Sequence, residues 1–283
     1  MIRIVRAGEV VWRDGYRRER AMIKIGITGA AGRMGRRIAA LTIESQEFDI
    51  VAAMEAPGHP ELGKDIGELA GVGTFGVEVR DSLEGSPEVL IDFSQPEGTI
   101  KWLDAAVDRG AAMVIGTTGL TESQLAAVAD AAGKIAIMRA ANMSVGINLL
   151  LKVLAEVATA LGSDYDVEIS EAHHRFKKDA PSGTAIALAK AICQATGKDY
   201  GETVVFGRGG QCPRRSGEIG MHAMRVGDTI GEHTVSFGNL GETVTIGHSA
   251  HTRDTFARGA IRAARWLVGK SPGLYSMHDV LRG

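Results

Sequence analysis

The sequence predicts an α/β protein with a doubly wound parallel sheet, followed by a smaller α+β region with a mixed or antiparallel sheet. In the first half, short apolar runs alternate with segments of helical periodicity, which indicates crossover connections and parallel strands. After about residue 143, several apolar runs follow one another with short glycine-containing links, which is typical of antiparallel or mixed pairing. A chain of 283 residues suits two domains.

The elements predicted in the first half of the chain alternate between strands and helices, which supports a parallel sheet. Strands are predicted at residues 23–28, 49–54, 88–93, 111–115 and 135–138, and helices at residues 33–44 and 97–109. Another helix begins at Thr121, because Gln124 three residues later completes a capping box.

The second half begins with an apolar stretch over residues 143–161. Asn148, Lys152 and Glu156 interrupt it at near-helical spacing, which indicates an amphipathic helix and not a membrane span. A helix is also predicted at residues 183–196, and strands at residues 165–172, 219–226, 232–238 and 242–249. A last helix runs to about residue 268 from Asp254, a favourable N-cap residue.

These patterns suggest a division of the chain. Residues 1–22 form an N-terminal extension, residues 23–142 and 253–283 form a dinucleotide-binding domain, and residues 143–252 form a substrate-binding and oligomerisation domain. The segment 1–21 has six arginines, three acidic residues and no serine, which is unlike a transit peptide. We interpret it as an upstream start or a dispensable extension, with a targeting or partner-binding arm as the alternative.

Composition narrows the class of protein. With 45% hydrophobic and 23% charged residues and a net charge of -2, the chain can bury a core and lacks the basic bias of a nucleic-acid binder. The cysteines Cys193 and Cys212 lack metal or redox spacing and suit a reducing compartment. The first twenty residues have no apolar core of signal-peptide length, so we expect a cytoplasmic protein with neither membrane nor nucleic acid as a partner.

A glycine-rich turn follows the first strand and opens the first helix. Glycines permit close approach of a pyrophosphate, and the helix N-terminus presents unpaired N–H groups to it. The spacing departs from the common dinucleotide fingerprint, because Ala30 occupies the first glycine position and Gly29 precedes it. The cofactor-binding candidates in this turn are Gly29, Ala30, Ala31, Gly32, Arg33 and Met34.

Glu55, at the end of the second strand, strengthens the cofactor interpretation. A carboxylate there can accept hydrogen bonds from the ribose hydroxyls and repels a 2′-phosphate. Because Ala56 follows it and not an arginine, we expect NADH to be used at least as well as NADPH, although Arg33 and Arg36 can compensate. The alternative is a structural strand–turn–helix with a surface glutamate.

The second motif is a dense basic segment. Residues 173–177 carry four basic side chains, and a Pro-Ser-Gly-Thr helix start follows them. Such an arrangement favours a small polyanion, such as a dicarboxylate, and its histidine and lysine side chains can exchange protons. A surface loop or a phosphate contact on RNA is the alternative. A metal site is not expected, because suitable carboxylate or cysteine spacing is lacking.

Residues 23–283 resemble the 4-hydroxy-tetrahydrodipicolinate reductase family along nearly their whole length. The histidine–lysine segment is highly specific for this family, whereas the glycine loop alone is not. The matching segments are GAAGRMGR at 29–36, IDFSQPEGT at 91–99, VIGTTG at 114–119, AANMSVGIN at 140–148, EAHHRFKKDAPSGTA at 171–185, GEHTV at 231–235 and TFARGAIRAARWL at 255–267.

The resemblance implies the activity and its residues. His173 matches a proton donor/acceptor and Lys177 a proton donor, while His174, Gly183 and Thr184 match substrate contacts. It implies NADH or NADPH as cofactor, a cyclic dicarboxylate substrate reduced to tetrahydrodipicolinate with loss of water, and a homotetramer built through the second sheet. It further implies cofactor contacts near the nicotinamide at Gly116, Thr117, Thr118, Ala140, Ala141, Asn142 and Met143.

This chain departs from common family residues at Ala56, Gln95 and Met143, and its first 21 residues have no clear counterpart. Two rival functions remain open from the residues alone. One is another Rossmann-type dehydrogenase of an amino-acid-like substrate, which the basic segment 171–185 disfavours. The other is a non-catalytic NADH-binding sensor, which would need the glycine turn but no proton donors.

Overall fold

The computed structural model of the protein describes residues 22–283. Apart from Met22, the predicted N-terminal extension lies outside the described residues. The strands are β1 Ile23–Thr28, β2 Phe48–Met54, β3 Val79–Arg80, β4 Val89–Asp92, β5 Ala112–Ile115, β6 Ala136–Arg139, β7 Asp166–His173, β8 Val204–Phe206, β9 Ile219–Arg225, β10 Gly231–Asn239, β11 Glu242–Ala250 and β12 Gly273–Tyr275. The helices are α1 Arg33–Ser45, α2 Ile66–Ala70, α3 Pro96–Arg109, α4 Glu122–Ala132, α5 Val145–Leu161, α6 Gly183–Thr196, α7 Tyr200–Thr203, α8 Asp254–Leu267 and α9 Met277–Arg282.

The first sheet has seven strands in the order β12-β6-β5-β4-β1-β2-β3, and its strand pairs are parallel. Helices cover both faces. Ile38 of α1 and Ala260 of α8 lie in the core on one face, and Trp102 of α3 and Val128 of α4 lie in the core on the other. This confirms the predicted doubly wound parallel sheet. The order of the strands reverses between β1 and β4, where such sheets place their ligands.

The C-terminal segment returns to the first sheet. Helix α8 packs so closely that a Cβ atom at Gly259 would lie 1.7 Å from the carbonyl oxygen of Met143. The buried face of α8 consists mostly of alanines, such as Ala257 and Ala264, which permit this approach. Strand β12 then adds to the edge of the sheet beside β6.

The second sheet has the order β11-β10-β7-β9-β8 and is mixed, as predicted. Strand β7 pairs antiparallel with β10 and parallel with β9, so β9 and β10 are not neighbours despite their short connection. Helices α5 and α6 cover one face, where Leu154, Leu188 and Phe237 share a core. The opposite face is half-exposed at Ser170 and Thr234.

The structure corrects the predicted start of α8. The residue at the N-cap is Arg253, without a side-chain hydrogen bond, and Asp254 is the first residue of the helix. The Asp254 carboxylate instead accepts two hydrogen bonds from Arg37 on α1, at 2.5 and 2.7 Å. A tertiary ion pair thus replaces the local cap. The sequence pattern did not predict α2, α7, α9, β3, β8 and β12, which are too short to show a period.

By length and composition, the segment Val145–Asp164, which includes α5, could cross a membrane. In the fold, however, α5 contributes Leu150, Leu154 and Ala158 to the core beneath the second sheet, while Lys152 and Glu156 are exposed. Its apolar character therefore has a packing explanation.

Candidate active site

The glycine turn between β1 and α1 is held by close backbone contacts. Gly29 has a φ of +68°, a left-handed conformation that favours glycine. At Gly35, in the first turn of α1, a Cβ atom would lie 2.2 Å from the carbonyl oxygen of Gly29. Only glycine fits there, so the helix begins directly against the turn.

The N-terminus of α1 fits a pyrophosphate. Gly32 is the N-cap and provides no side-chain acceptor, and the first turn of the helix has no acidic residue. The N–H groups of the first turn have no acceptor within the helix, and they carry a partial positive charge. Ala30 and Ala31 are buried, while Gly32 and Arg33 are exposed and Met34 is half-buried.

Glu55 lies directly after β2 and is half-buried. Its carboxylate accepts hydrogen bonds from the N–H groups of Ala31 at 3.1 Å and Ala56 at 3.0 Å, so it is anchored beside the turn. Arg36 also contacts the turn, because its guanidinium donates to the Ala31 carbonyl at 2.7 Å, and it pairs with Glu61. The Glu55 carboxylate and the Arg36 guanidinium therefore both contact the turn at Ala31.

Asp92, at the end of β4, organises the adjacent edge of the sheet. Its buried carboxylate accepts hydrogen bonds from the hydroxyls of Thr28 at 2.5 Å, Thr99 at 2.6 Å and Thr117 at 2.8 Å. The hydroxyl and N–H groups of Ser94 also donate to it, at 2.6 and 3.2 Å. The ends of β1 and β4, the loop after β5 and helix α3 are thus tied to one anion.

The residues expected near the nicotinamide lie beside this edge in two loops. In the loop after β5, the Thr117 side chain points inward to Asp92 and Thr118 is exposed. In the loop after β6, the Met143 side chain is buried in the core, so it can reach a ligand only through its backbone. The remaining members are Gly116, Ala140 and Asn142, which are half-buried, and Ala141, which is exposed.

On the second sheet, strand register brings a polar cluster together. The face of β7 that packs on the helices carries Val167 and Ile169, and then continues with Glu171 and His173. His233 on β10 pairs with Glu171, and Arg225 on β9 pairs with His173. The apolar core therefore ends in ionisable groups at the carboxyl end of β7.

Glu171 is the centre of this cluster and is almost fully buried. It accepts hydrogen bonds from His173 Nδ1 at 2.6 Å, from Arg225 at 2.8 and 2.9 Å, and from the Ser182 N–H at 3.0 Å. Burial alone would raise the pKa of Glu171, but these hydrogen bonds outweigh it and hold the pKa below its usual value. The carboxylate is therefore ionised at neutral pH.

His233 supports the cluster as a neutral ring. Its Nε2 lies 3.1 Å from the Ser182 hydroxyl, and its ring meets His173 edge to face at a centroid distance of 5.2 Å. Burial, together with the neighbouring charge of His173, lowers the pKa of His233 to about 4. His233 is therefore uncharged at neutral pH, and its ring packs edge to face against the ring of His173.

Lys177 and His174 lie on the loop that follows β7. The Lys177 ammonium contacts both carboxylate oxygens of Asp179 at 2.8 Å, and this pairing lowers the pKa of Asp179. The lysine must leave or share this partner to protonate a ligand. His174 is half-buried, with no partner for its buried Nδ1 in the described part of the chain.

A hydrogen bond joins the two predicted sites. The side-chain amide of Asn142, on the cofactor side, donates to the Thr184 hydroxyl at 3.1 Å. Thr184 and Gly183 form the first turn of α6, where Ser182 caps the Ala185 N–H. The N–H groups of Gly183 and Thr184 therefore lie in the first turn, where a helix offers them no acceptor.

The sequence-predicted residues thus fall into two groups that meet at Asn142 and Thr184. No role was predicted for Asp92, Glu171 or Arg225, although the first two lie inside the matching segments 91–99 and 171–185. The signal for Glu171 was available, because a residue two positions before His173 on a strand shares its face. The strand register between β7 and β9, which brings Arg225 to Glu171, could not be predicted from the sequence.

A doubly wound sheet with a glycine turn before its first helix, joined through Asn142 to a helix start that follows a basic loop on a second sheet, defines a dinucleotide-dependent oxidoreductase. The chain belongs to the dihydrodipicolinate reductase family: the family's N-terminal part matches residues 23–143 and its C-terminal part matches residues 146–281.

Relatives and a solved structure agree with this membership. The chain is 48% identical to the 4-hydroxy-tetrahydrodipicolinate reductase of Citrifermentans bemidjiense, over 92% of this chain and 99% of the relative. It is also 48% identical to that of Rubrobacter xylanophilus, over 92% and 98% of the two chains. A dipicolinate-bound dihydrodipicolinate reductase from Paenisporosarcina sp. TG-14 shares the fold, with a TM-score of 0.72 and 24% identity over 90% of this chain and 97% of that one.

We predict that Asp92→Asn lowers the free energy of unfolding by about 3 kcal/mol, because an amide NH₂ cannot accept from the hydroxyls that now share the carboxylate. Urea denaturation measures the change. Asp104→Asn, on the exposed side of α3, is the matched control and should change stability by less than about 0.5 kcal/mol. Equal effects of the two substitutions would contradict the central role of Asp92.

Proposed function

We propose that the chain reduces 4-hydroxy-tetrahydrodipicolinate to tetrahydrodipicolinate with NADH or NADPH, releasing water, in diaminopimelate and lysine biosynthesis. Its membership of the dihydrodipicolinate reductase family and the names of its 48% identical relatives support this activity. The bound nicotinamide supplies a hydride. One hydride and one proton enter, and water leaves, so the reaction balances.

The observation that carries the proposal is the hydrogen bond between Asn142 and Thr184. This contact joins the loop after β6, at the same carboxyl edge of the first sheet as the glycine turn, to the first turn of α6. Because the two ligands would meet here, a hydride donor and a dicarboxylate can lie side by side. Proximity of this kind contributes a large part of the rate in two-substrate reactions.

In this proposal the chain's own residues hold the dicarboxylate and supply the proton. The N–H groups of Gly183 and Thr184 bind one carboxylate at the start of α6, and His174 adds a further contact. His173 and Lys177 are the proton donors. Asp179 holds the Lys177 ammonium in an ion pair at 2.8 Å until the substrate draws it away.

The proposed cofactor site comprises the turn at residues 29–34, Glu55 and the two loops at residues 116–118 and 140–143. The turn binds the pyrophosphate through backbone N–H groups, and Glu55 binds the adenosine ribose. On this division, residues 23–142 and 253–283 bind the dinucleotide, and residues 143–252 bind the substrate and mediate assembly. We place the enzyme in the cytoplasm.

We predict that His173→Ala and Lys177→Ala each lower kcat by about 10²–10⁴-fold, because each removes a proton donor. Turnover is followed as loss of NADH absorbance with freshly prepared 4-hydroxy-tetrahydrodipicolinate, and circular dichroism checks the fold. Lys178→Ala, at the exposed neighbouring position, is the matched control and should stay close to wild type. Near-normal turnover in both His173→Ala and Lys177→Ala would refute the assignment.

The position of Glu55 predicts cofactor preference. Its carboxylate repels a 2′-phosphate, so kcat/KM with NADH should equal or exceed kcat/KM with NADPH. Ala56→Arg should shift the ratio toward NADPH by about tenfold, because a guanidinium pairs with phosphate. Ala56→Gln controls for side-chain length without charge. A strong NADPH preference in the wild type would contradict this expectation.

The free face of the second sheet supports a homotetramer. The strand residues that point away from α5 and α6, such as Ser170, Thr234 and Ser236, are half-exposed in the single chain. Sedimentation equilibrium should give four times the chain mass, and Thr245→Asp on the exposed strand β11 should lower it by adding like charges at the interface. Ser123→Asp on α4 is the control. A monomeric wild type would refute the assembly.

A further inference from the structure

The proposed chemistry gives no role to the buried carboxylate of Glu171, which contacts the proposed proton donor His173. Its side chain is inaccessible to solvent, and four hydrogen bonds reach it from three residues. Oε2 accepts from His173 Nδ1 and from Arg225 Nη1, while Oε1 accepts from Arg225 Nη2 and from the Ser182 N–H. A carboxylate has about four acceptor positions, so Glu171 is saturated.

A saturated, ionised carboxylate does not exchange protons with a substrate, but it constrains the neighbouring histidine. Glu171 is an acceptor only, so the 2.6 Å contact requires a hydrogen on His173 Nδ1. The other ring nitrogen, Nε2, is then the one that gains and loses a proton. A Cβ atom at Gly231 would lie 3.1 Å from Nε2, so glycine on the adjoining strand keeps a side chain away from this atom.

Arg225 holds the carboxylate in this orientation. Besides its two hydrogen bonds to Glu171, its guanidinium donates to the carbonyls of Asp179 and Met224, both at 2.6 Å. The arginine therefore ties the strand pair β7–β9 to the loop that carries Lys177. Because two nitrogens bind two oxygens, the carboxylate plane cannot rotate away from His173.

We propose that Glu171 is a positioning residue for the reduction: it keeps a hydrogen on His173 Nδ1, so that the imidazolium form delivers its Nε2 proton to the substrate, and the neutral ring that remains takes up a proton from solvent at Nε2. Arg225 holds Glu171 in place for this task. The inference rests on the proposed function for the identity of the proton acceptor, but the state of the histidine ring is a property of the protein alone.

The experiment measures two quantities separately: the position of the hydrogen on the His173 ring and the kcat of the reduction. The nuclear magnetic resonance spectrum of ¹⁵N-histidine-labelled protein, at a pH where the ring is neutral, should show the His173 hydrogen on Nδ1. The signals of His173 are the ones that disappear in the His173→Gln variant. In Glu171→Gln, the amide can turn its NH₂ toward Nδ1, so the Nε2–H form should appear. We expect kcat to fall roughly 10²-fold, as for loss of a general acid. The substrate KM should stay within about threefold, because the contact acts in the transition state.

Glu218→Gln is the matched control, since Glu218, directly before β9, is also a buried carboxylate paired with arginine, but its hydrogen bonds go to Arg208 and Arg215 and not to His173. It should leave the His173 signals and kcat near wild type. Should Glu171→Gln fail to fold, Glu171→Asp provides the second variant. It keeps the charge on a shorter side chain, so Nδ1–H should persist with an intermediate kcat.

Three results would overturn the proposal. The first is a wild-type His173 with its hydrogen on Nε2. The second is a Glu171→Gln enzyme with wild-type kcat. The third is a Glu171→Gln enzyme whose kcat falls while the His173 signals stay unchanged, which would indicate a structural role only. A wild-type protein that does not oxidise NADH with the substrate would defeat the proposed function, while the ring measurement would still decide the positioning of His173.

Discussion

The buried carboxylate of Asp92 is the constraint on which the cofactor side of this protein depends. A charge without water is tolerated only when hydrogen bonds saturate it, and here Thr28, Ser94, Thr99 and Thr117 supply them. These donors come from four separate segments that converge where the strand order reverses. The loops at this edge of the sheet are therefore held in place by one internal carboxylate.

The second sheet also contains a buried carboxylate that is saturated by hydrogen bonds, but this carboxylate has a different role. Glu171 is saturated by His173, Arg225 and Ser182, at the end of a strand whose earlier residues form an apolar core. Around Asp92 the donors are neutral hydroxyl groups and one backbone N–H group, and they fix loops. Around Glu171 they include a guanidinium and an imidazole, so the anion fixes both a loop and the state of a titratable ring.

Much of the fold was predictable because long elements show clear periods. The strand at residues 23–28 and the helix at residues 183–196 agree with the structure residue for residue, and the capping box at Thr121 is present. The start of α8 was mispredicted, because Asp254 has a distant partner in Arg37, 217 positions earlier. Local capping preferences carry no information about a contact between residues so far apart in the sequence.

The sequence by itself determined the two chemical motifs and their contexts: a glycine turn between a strand and a helix, and a basic segment before a helix start. Both are local, because they depend on neighbouring residues and on the unpaired N–H groups of a helix N-terminus. Only the tertiary structure decided that β7 lies between β9 and β10, which brings Arg225 and His233 to Glu171. It also decided that Asn142 meets Thr184. Strand order and register arise from packing across the whole sheet, which no local pattern records.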